Sequence, residues 1–552
     1  MKIVIIGGVA GGASAAARAR RLNEDAEITV FERGPYPSFA NCGLPYYVGG
    51  KIEARKKLLV APIELLQKRH RLDVRVLCEV TSIDREAKQV SVHNLATGER
   101  YEKPYDKLIL ATGAASVQPS IPGGDGDRIL GLRDLLDADR LHKLATSGAK
   151  RAVMLGAGFI GIEVAENLVR RNIDVTIVEL ADQILPPWDQ EMVSPLQQHL
   201  SEKGIDLRLK DSIQQFEEDG DGLKVSLKSG DTLKADFAVV SVGVRPESRL
   251  AKAAGLECSD RGGVLTNSSM QTSDRDIYAV GDVVEVDDFV TKNQALIPLA
   301  GPANRQGRIA ADHLSERSSA YRGTQGTSIV GFFDRTIAMT GQSEKGLRRQ
   351  AIDYEKIYVH PADHAGYYPG ANGLTLKLLF NPKTGLVLGA QCVGSTGIDK
   401  RIDVIAMAIQ AGMTVFDLEE VELCYAPQFG SAKDPVNMAG FVAAGVVRGD
   451  HPVIHAKELA KSKMEPNSDL ILDVRTPAEF DAGSIPGAMN IPVDELRERL
   501  NELPSGRNIT VYCKVGMRGY LATRILLQNE FSAHNLSGGF TTWQHVVGNG
   551  KN

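Results

Sequence analysis

Twice in this 552-residue chain a short apolar strand runs into a glycine-rich turn that opens a helix. Each time a second strand follows and ends on an acid roughly twenty positions on. The first copy is strand Lys2–Ile6, the turn Gly7-Gly8-Val9-Ala10-Gly11-Gly12, a helix from about 13 to 22, and a strand over 28–31 ending on Glu32, with Arg33 next. The second is a strand over 152–155, the turn Gly156-Ala157-Gly158-Phe159-Ile160-Gly161, a helix from about 162 to 171, and a strand over 174–178 ending on Glu179. The first glycine of such a turn permits the tight reversal, and the last lets the helix pack close on the strand. The N–H groups that begin the helix then face an anion, which suits a pyrophosphate, and the acid is placed for a ribose hydroxyl. The first copy departs from the pattern at Val9, whereas every glycine of the second is present. Glu179 would repel a 2′-phosphate, so NADH is expected over NADPH, which stays possible. The fold class is α/β, with two Rossmann-like dinucleotide-binding domains.

Two such folds imply two dinucleotides. One is a hydride donor, and the other must hold two electrons, which points to a flavin. Leu108-Ile109-Leu110-Ala111-Thr112-Gly113 ends one further strand on a turn of small residues, and Ile277-Tyr278-Ala279-Val280-Gly281-Asp282 ends another on an acid. In this order the four motifs resemble those of the flavoprotein disulfide reductases, in which an NAD domain is inserted into an FAD domain. The resemblance implies FAD held by the residues named in the first copy, by Asn41, and by Ala111, Thr112, Gly113, Gly281 and Asp282. It implies NADH held by Gly156, Gly158, Ile160, Gly161 and Glu179. The expected domains are FAD-binding over 1–118 and 245–326, NADH-binding over 119–244, dimerisation over 327–444, a linker over 445–455 and a last domain over 456–552.

Ten residues after Glu32 comes Cys42, within Ser38-Phe39-Ala40-Asn41-Cys42-Gly43-Leu44-Pro45-Tyr46-Tyr47. Ten residues reach at most about 33–36 Å, enough to pass from the adenosine end of FAD to its ring system. A cysteine opening a helical segment feels the positive end of its dipole, so a lowered thiol pKa is expected. No second cysteine lies near Cys42, and a lone redox thiol must form a mixed disulfide with a small thiol or a sulfenic acid. The segment resembles the coenzyme A disulfide reductase family; single-cysteine NADH oxidases and peroxidases are the rival. Tyr425-Ala426-Pro427 with Lys433-Asp434-Pro435 resembles that family's C-terminal signature, in which the tyrosine meets the neighbouring subunit's redox centre. Tyr367, with Tyr368 as the alternative, resembles its second active-site tyrosine. The resemblance also implies a homodimer and coenzyme A contacts at Ser14, Arg18, Arg21, Ser38, Asn41 and Lys433. His70 and Asn304 fall where relatives touch the ligand but differ in residue type from some of them, and are set aside.

Near His455 a new unit begins. Strand 470–473 leads into Val474-Arg475-Thr476-Pro477-Ala478-Glu479-Phe480, then Gly483-Ser484-Ile485-Pro486-Gly487-Ala488-Met489-Asn490. Strand Ile509–Tyr512 delivers Cys513-Lys514-Val515-Gly516-Met517-Arg518 before a helix, and Gly538-Gly539-Phe540-Thr541-Thr542-Trp543 closes the unit. These segments resemble single-domain rhodaneses, an α/β fold. A tight loop ending in a helix N-terminus aims N–H groups at the Cys513 sulfur, and Lys514 and Arg518 add positive charge. Together they stabilise a thiolate and then a persulfide.

The remaining cysteines, 78, 258, 392 and 424, read as packing residues. Scattered cysteines without a CxxC fit free thiols in a reducing cytoplasm, and His and Cys do not cluster at metal-ligand spacing. A net charge of -5 points to neither nucleic acid nor an anionic membrane, and no apolar run is long enough to span one. The whole resembles NADH-dependent persulfide reductases, fusions of a coenzyme A disulfide reductase with a rhodanese domain. The resemblance implies catalytic roles for Cys42, Cys513, Tyr367, Tyr425 and Arg518, with persulfide, polysulfide or coenzyme A disulfide as substrate and hydrosulfide as product. Two alternatives are a reductase that keeps the thiol pool reduced, and a sulfur-delivery protein acting through its rhodanese domain.

Overall fold

The computed structural model describes residues 1–462 and 469–548. Residues 463–468 and 549–552 of the expected last domain lie outside them. The chain forms two compact units, Met1–Ile184 with Ser201–Gly326, and Leu185–Leu200 with Thr327–Asn552. Among the described residues no helix is long and apolar enough to cross a membrane.

The first unit holds two five-stranded parallel sheets. One runs in the order Ile277–Ala279, Lys107–Leu110, Lys2–Ile6, Glu27–Phe31, Asp73–Arg75. The other runs Asp206–Leu209, Asp174–Glu179, Arg151–Leu155, Phe237–Val240, Ile129–Leu130. Their inner strands are near-continuous apolar runs covered on both faces, as parallel strands require. Helices Ala10–Leu22 and Phe159–Val169 start three residues earlier than expected, inside the glycine turns themselves. The short helix Leu44–Val48, just after Cys42, packs on Leu135–Thr146 and Phe159–Val169. Tyr47 stacks on His142 at 4.6 Å, and Arg171 donates to the Val48 carbonyl at 3.1 Å.

In the second unit an antiparallel sheet runs Ser328–Phe332, Arg335–Gly341, Val387–Gly394, Thr375–Phe380, Glu355–Val359. The apolar pattern around 374–380 and 386–393 gives no exposed face, since every residue of Thr375–Phe380 and Val387–Gly394 is buried. Even Lys377 is enclosed. Its ammonium lies 2.8, 2.6 and 2.8 Å from carboxylate oxygens of Asp189, Glu191 and Glu344. Those three carboxylates could together hold a metal ion, but they converge on Lys377. Asp189 and Glu191 explain why 185–200, inside the range expected for NADH binding, groups with this unit: a buried ammonium demands its counter-charges.

A parallel sheet follows in the same unit, in the order Val453–Ile454, Ala533–Leu536, Ile509–Tyr512, Leu470–Asp473, Met489–Asn490. The stretch expected as a linker, 445–455, is largely structured. Helix Pro435–Arg448 continues into it, and Val453–Ile454 is the edge strand of the last sheet. Contacts join the two sheets: the Tyr358 amide donates to Ser537 at 3.3 Å, His360 meets Thr542 at 2.9 Å, and His455 meets Glu355 at 2.8 Å.

Candidate functional site

The two glycine turns are built alike. Gly7 and Gly156 have φ of +101° and +104°, a region open to glycine, and a Cβ on Gly12 or Gly161 would run into the Gly7 or Gly156 carbonyl oxygen. Glu32 accepts from the Gly8 and Gly34 amides, both at 2.8 Å, and Glu179 accepts from those of Ala157 and Ala181, again both at 2.8 Å. The departure at Val9 is sterically harmless: its φ is -92°, and a Cβ at the matching Gly158 meets nothing within 4 Å. Both following helices lack a side-chain cap and any acid in the first turn, so their N–H groups are left for an anion. These residues fit two dinucleotides.

Around the first turn, Gly11 packs on Val280, and Ala111 hydrogen-bonds Ile6 at 2.8 Å. Thr112 donates to the Glu247 carbonyl at 2.7 Å, and Gly113 accepts from the Glu247 amide at 2.9 Å. The Gly281 amide donates to Gln306 at 2.7 Å, and burial raises the Asp282 carboxyl. Arg33 lies 3.7 Å from Glu79, and Ile160 is exposed.

Cys42 is an exposed free thiol in the 3-10 turn Asn41–Gly43. The expectation of a lowered pKa is corrected. Burial around the sulfur raises it, the Glu163 carboxylate raises it further, and Asp282 adds a little. The helix that follows has only five residues, too short for its dipole to outweigh burial and the carboxylate. Glu163, two positions beyond Gly161, was not singled out in the sequence. Burial raises its carboxyl to about 7, although the Tyr46 hydroxyl donates to it at 3.2 Å.

Of the residues expected to meet coenzyme A, Ser14 donates to Asn304, and Arg18 is already engaged by Asp312 at 2.6 Å. Arg21 and Asn41 are exposed, and Ser38 holds the unusual φ of +51° with its amide on the Gly8 carbonyl at 2.8 Å. These lie in the first unit with Cys42. In the second unit Lys433 is exposed, and the Tyr367 and Tyr425 hydroxyls lie 2.8 Å apart, both rings exposed. Tyr368 is exposed as well. Cys78 and Cys392 are buried, as packing residues should be, but Cys424 is exposed because it precedes Tyr425 on a loop.

Cys513 follows strand Ile509–Tyr512 and is buried, with the Gly516 amide donating to its sulfur at 3.1 Å. Helix Gly539–Val547 seats this loop: the Phe540 and Thr541 amides donate to the Cys513 and Lys514 carbonyls at 2.8 and 2.9 Å. A Cβ on Gly539 would strike the Cys513 carbonyl, and one on Gly538 the Thr542 side chain, which accounts for the glycine pair. Lys514 is exposed. Arg518 is held bidentately by Glu479 at 2.7 and 2.8 Å, and the Arg518 guanidinium brings that carboxyl down to about 2. Glu479 was quoted in the sequence only as part of a turn. Its Thr476-x-x-Glu479 spacing marks the capping box that it forms.

Three family models cover the chain: pyridine nucleotide-disulphide oxidoreductase over residues 1–307, the dimerisation domain of that family over 327–434, and a rhodanese-like domain over 455–545. A coenzyme A disulfide reductase of Staphylococcus haemolyticus is 36% identical over 80% of this chain and 99% of its own. The reduced CoADR-RHD structure from Bacillus anthracis is 47% identical with a TM-score of 0.97, covering 99% of this chain and 98% of its own. The structure of a NAD-dependent persulfide reductase from A. fulgidus is 36% identical with a TM-score of 0.91, covering 98% and 100%. The chain therefore belongs to the pyridine nucleotide-disulphide oxidoreductase family, in its coenzyme A disulfide reductase branch, and carries a C-terminal rhodanese-like domain.

Proposed function

We propose that this protein uses NADH to reduce sulfane sulfur, cleaving the S–S bond of coenzyme A persulfide or a related polysulfide and releasing hydrosulfide. The observation that carries this is one chain with two sulfur centres: an exposed lone thiol, Cys42, and a buried thiol, Cys513, whose sulfur receives the Gly516 N–H at 3.1 Å. Bound FAD supplies the two-electron relay between NADH and the thiol. The Cys42 thiolate attacks the coenzyme A sulfur of the persulfide, hydrosulfide leaves, and a Cys42–coenzyme A disulfide forms. Two electrons and a proton then return Cys42 to the thiolate and free coenzyme A. NADH, one proton and the persulfide thus give NAD⁺, coenzyme A and hydrogen sulfide.

Cys513 carries sulfane sulfur as a persulfide anion, with Gly516 N–H and Arg518 facing the charge. Tyr367 and Tyr425 act in a homodimer as proton donors to the departing sulfur; the hydrogen bond between the two hydroxyls raises the Tyr367 phenol and keeps it protonated. Ser14, Arg21, Ser38, Asn41 and Lys433 bind coenzyme A, and Arg18 joins them only by releasing Asp312. Six free cysteines are in keeping with a reducing cytoplasm.

The second reading, coenzyme A disulfide as main substrate, is favoured by the 36% identity to a reductase of that name, whose length is matched by 80% of this chain. The deciding measurement is anaerobic hydrosulfide release per NADH with coenzyme A persulfide, in the parent and in Cys513→Ser. Stoichiometric release by the parent and a crippled variant support one persulfide-reducing machine. No release from either protein leaves coenzyme A disulfide as the substrate.

A further inference from the structure

Behind the Cys513 loop lies a buried polar chain that begins outside the rhodanese-like fold. Asn535, 2% exposed on strand Ala533–Leu536, places its Nδ2 atom 3.1 Å from the Gly516 carbonyl oxygen and 2.8 Å from His451 Nε2. A carbonyl only accepts, so the Asn535 atom there is the NH2 group, and its second hydrogen points at His451. His451 Nε2 must therefore offer a lone pair, and the ring is neutral. The Asn535 carbonyl oxygen has no hydrogen-bond partner, and it lies so close to Gly519 that a side chain there would collide with it. Gly516 is the residue at stake. Its φ of +111° is a conformation open to glycine, its carbonyl is fixed by Asn535 and by the Tyr520 amide at 2.8 Å, and its own N–H points at the Cys513 sulfur.

His451 is itself firmly placed. It is 5% exposed, its ring lies 4.4 Å from that of Tyr520, and its amide donates at 3.1 Å to Gly445 on helix Pro435–Arg448. The groups that face it keep it uncharged. Burial and the Arg524 guanidinium bring its pKa down to about 4, and the nearby Asp450 is drawn to Arg524 instead. The ring thus keeps its lone pair throughout the neutral range.

We infer that His451, which lies before the rhodanese-like sheet begins, is a positioning residue for the persulfide-carrying loop: through Asn535 it fixes the carbonyl of Gly516, the residue whose own N–H donates to the Cys513 sulfur. This rests on Cys513 being the sulfur carrier, which Cys513→Ser tests separately. The test is thiosulfate-to-cyanide sulfur transfer by the full-length protein. The thiosulfate S–S bond breaks to release sulfite, the sulfane sulfur bonds to Cys513, and cyanide removes it as thiocyanate. His451→Phe keeps a ring against Tyr520 but offers no lone pair, and His451→Gln offers an acceptor oxygen. Loss of one such hydrogen bond is worth about tenfold. The expected result is a roughly tenfold fall in kcat for His451→Phe with KM for thiosulfate unchanged, and recovery of most of the rate in His451→Gln. Unchanged emission from Trp188 and Trp543 shows that the second unit is folded. A parental kcat in a folded His451→Phe, or an equal loss in both variants, overturns the inference. Transfer that persists in Cys513→Ser overturns the carrier assignment on which it stands.

Discussion

Replacing Lys377 by methionine keeps most of the length of the side chain and removes the one charge on which three buried carboxylates converge. The side chains of Lys377, Asp189, Glu191 and Glu344 are 0%, 4%, 4% and 8% exposed. Burial alone would push Glu191 up, but the Lys377 ammonium, helped by the Tyr358 hydroxyl, brings it from 4.5 down to about 2. That difference, at 1.36 kcal/mol per pK unit, is roughly 3 kcal/mol for Glu191. Breaking a buried ion pair from one side costs about 3–5 kcal/mol, which sets the expected loss at pH 7.5. The sign with pH follows. Carboxyls depressed in the folded state stabilise it above their unfolded pKa, and that stability is lost as pH falls from 4.5 toward 2. In the variant burial raises the Glu191 carboxyl, which has lost its counter-charge, so protonation relieves it and the deficit narrows between pH 7.5 and 5.5. Both tryptophans of the chain, Trp188 and Trp543, belong to the second unit, so urea unfolding followed by tryptophan fluorescence reads that unit. A variant within about 0.5 kcal/mol of the parent at pH 7.5, or with the same deficit at both pH values, would refute the reasoning.

Three further outcomes are expected. Cys42→Ser should still allow NADH to bleach the flavin absorbance, yet lose at least about a thousandfold of its NADH oxidation with coenzyme A disulfide; turnover within tenfold of the parent would remove Cys42 from the chemistry. Glu163→Gln should speed alkylation of Cys42 above pH 7, where the parent's Glu163 is ionised and opposes the thiolate, and should leave the rate at pH 5.5 nearly unchanged. Equal rates at pH 8 would show that the two groups do not interact. Glu479→Gln frees one side of the Arg518 clamp and should cut thiocyanate formation about tenfold, with a parental rate excluding a role for that pair.

What the sequence disclosed was what local geometry demands. Gly7 and Gly12, like Gly156 and Gly161, sit where a Cβ cannot be placed, so the turns announce themselves in residue type. The order of the four dinucleotide motifs and of the rhodanese-like segments was legible for the same reason. Charges acting through space were not. Glu163 is 121 positions from Cys42, and its effect on the thiol is opposite to the local dipole argument. Lys377 looks like an outward residue on a strand, and only the pairing with Asp189 and Glu191, far back in the chain, explains why it is buried and why 185–200 groups with the second unit. The same holds for the expected linker, where a two-residue strand carries too little periodicity to be read.

That short strand decides where the chain can be cut. Val453–Ile454 caps the open side of Ala533–Leu536, and the Pro452 carbonyl accepts from the Asn535 amide at 2.9 Å. A rhodanese-like fragment starting at residue 456 would leave the backbone of Ala533–Leu536 unsatisfied along one side, a template for pairing with another copy. Fragments prepared for crystallisation or for fusion to other reductases should therefore keep the residues from about 449 onward, and the shorter version should be the one that precipitates.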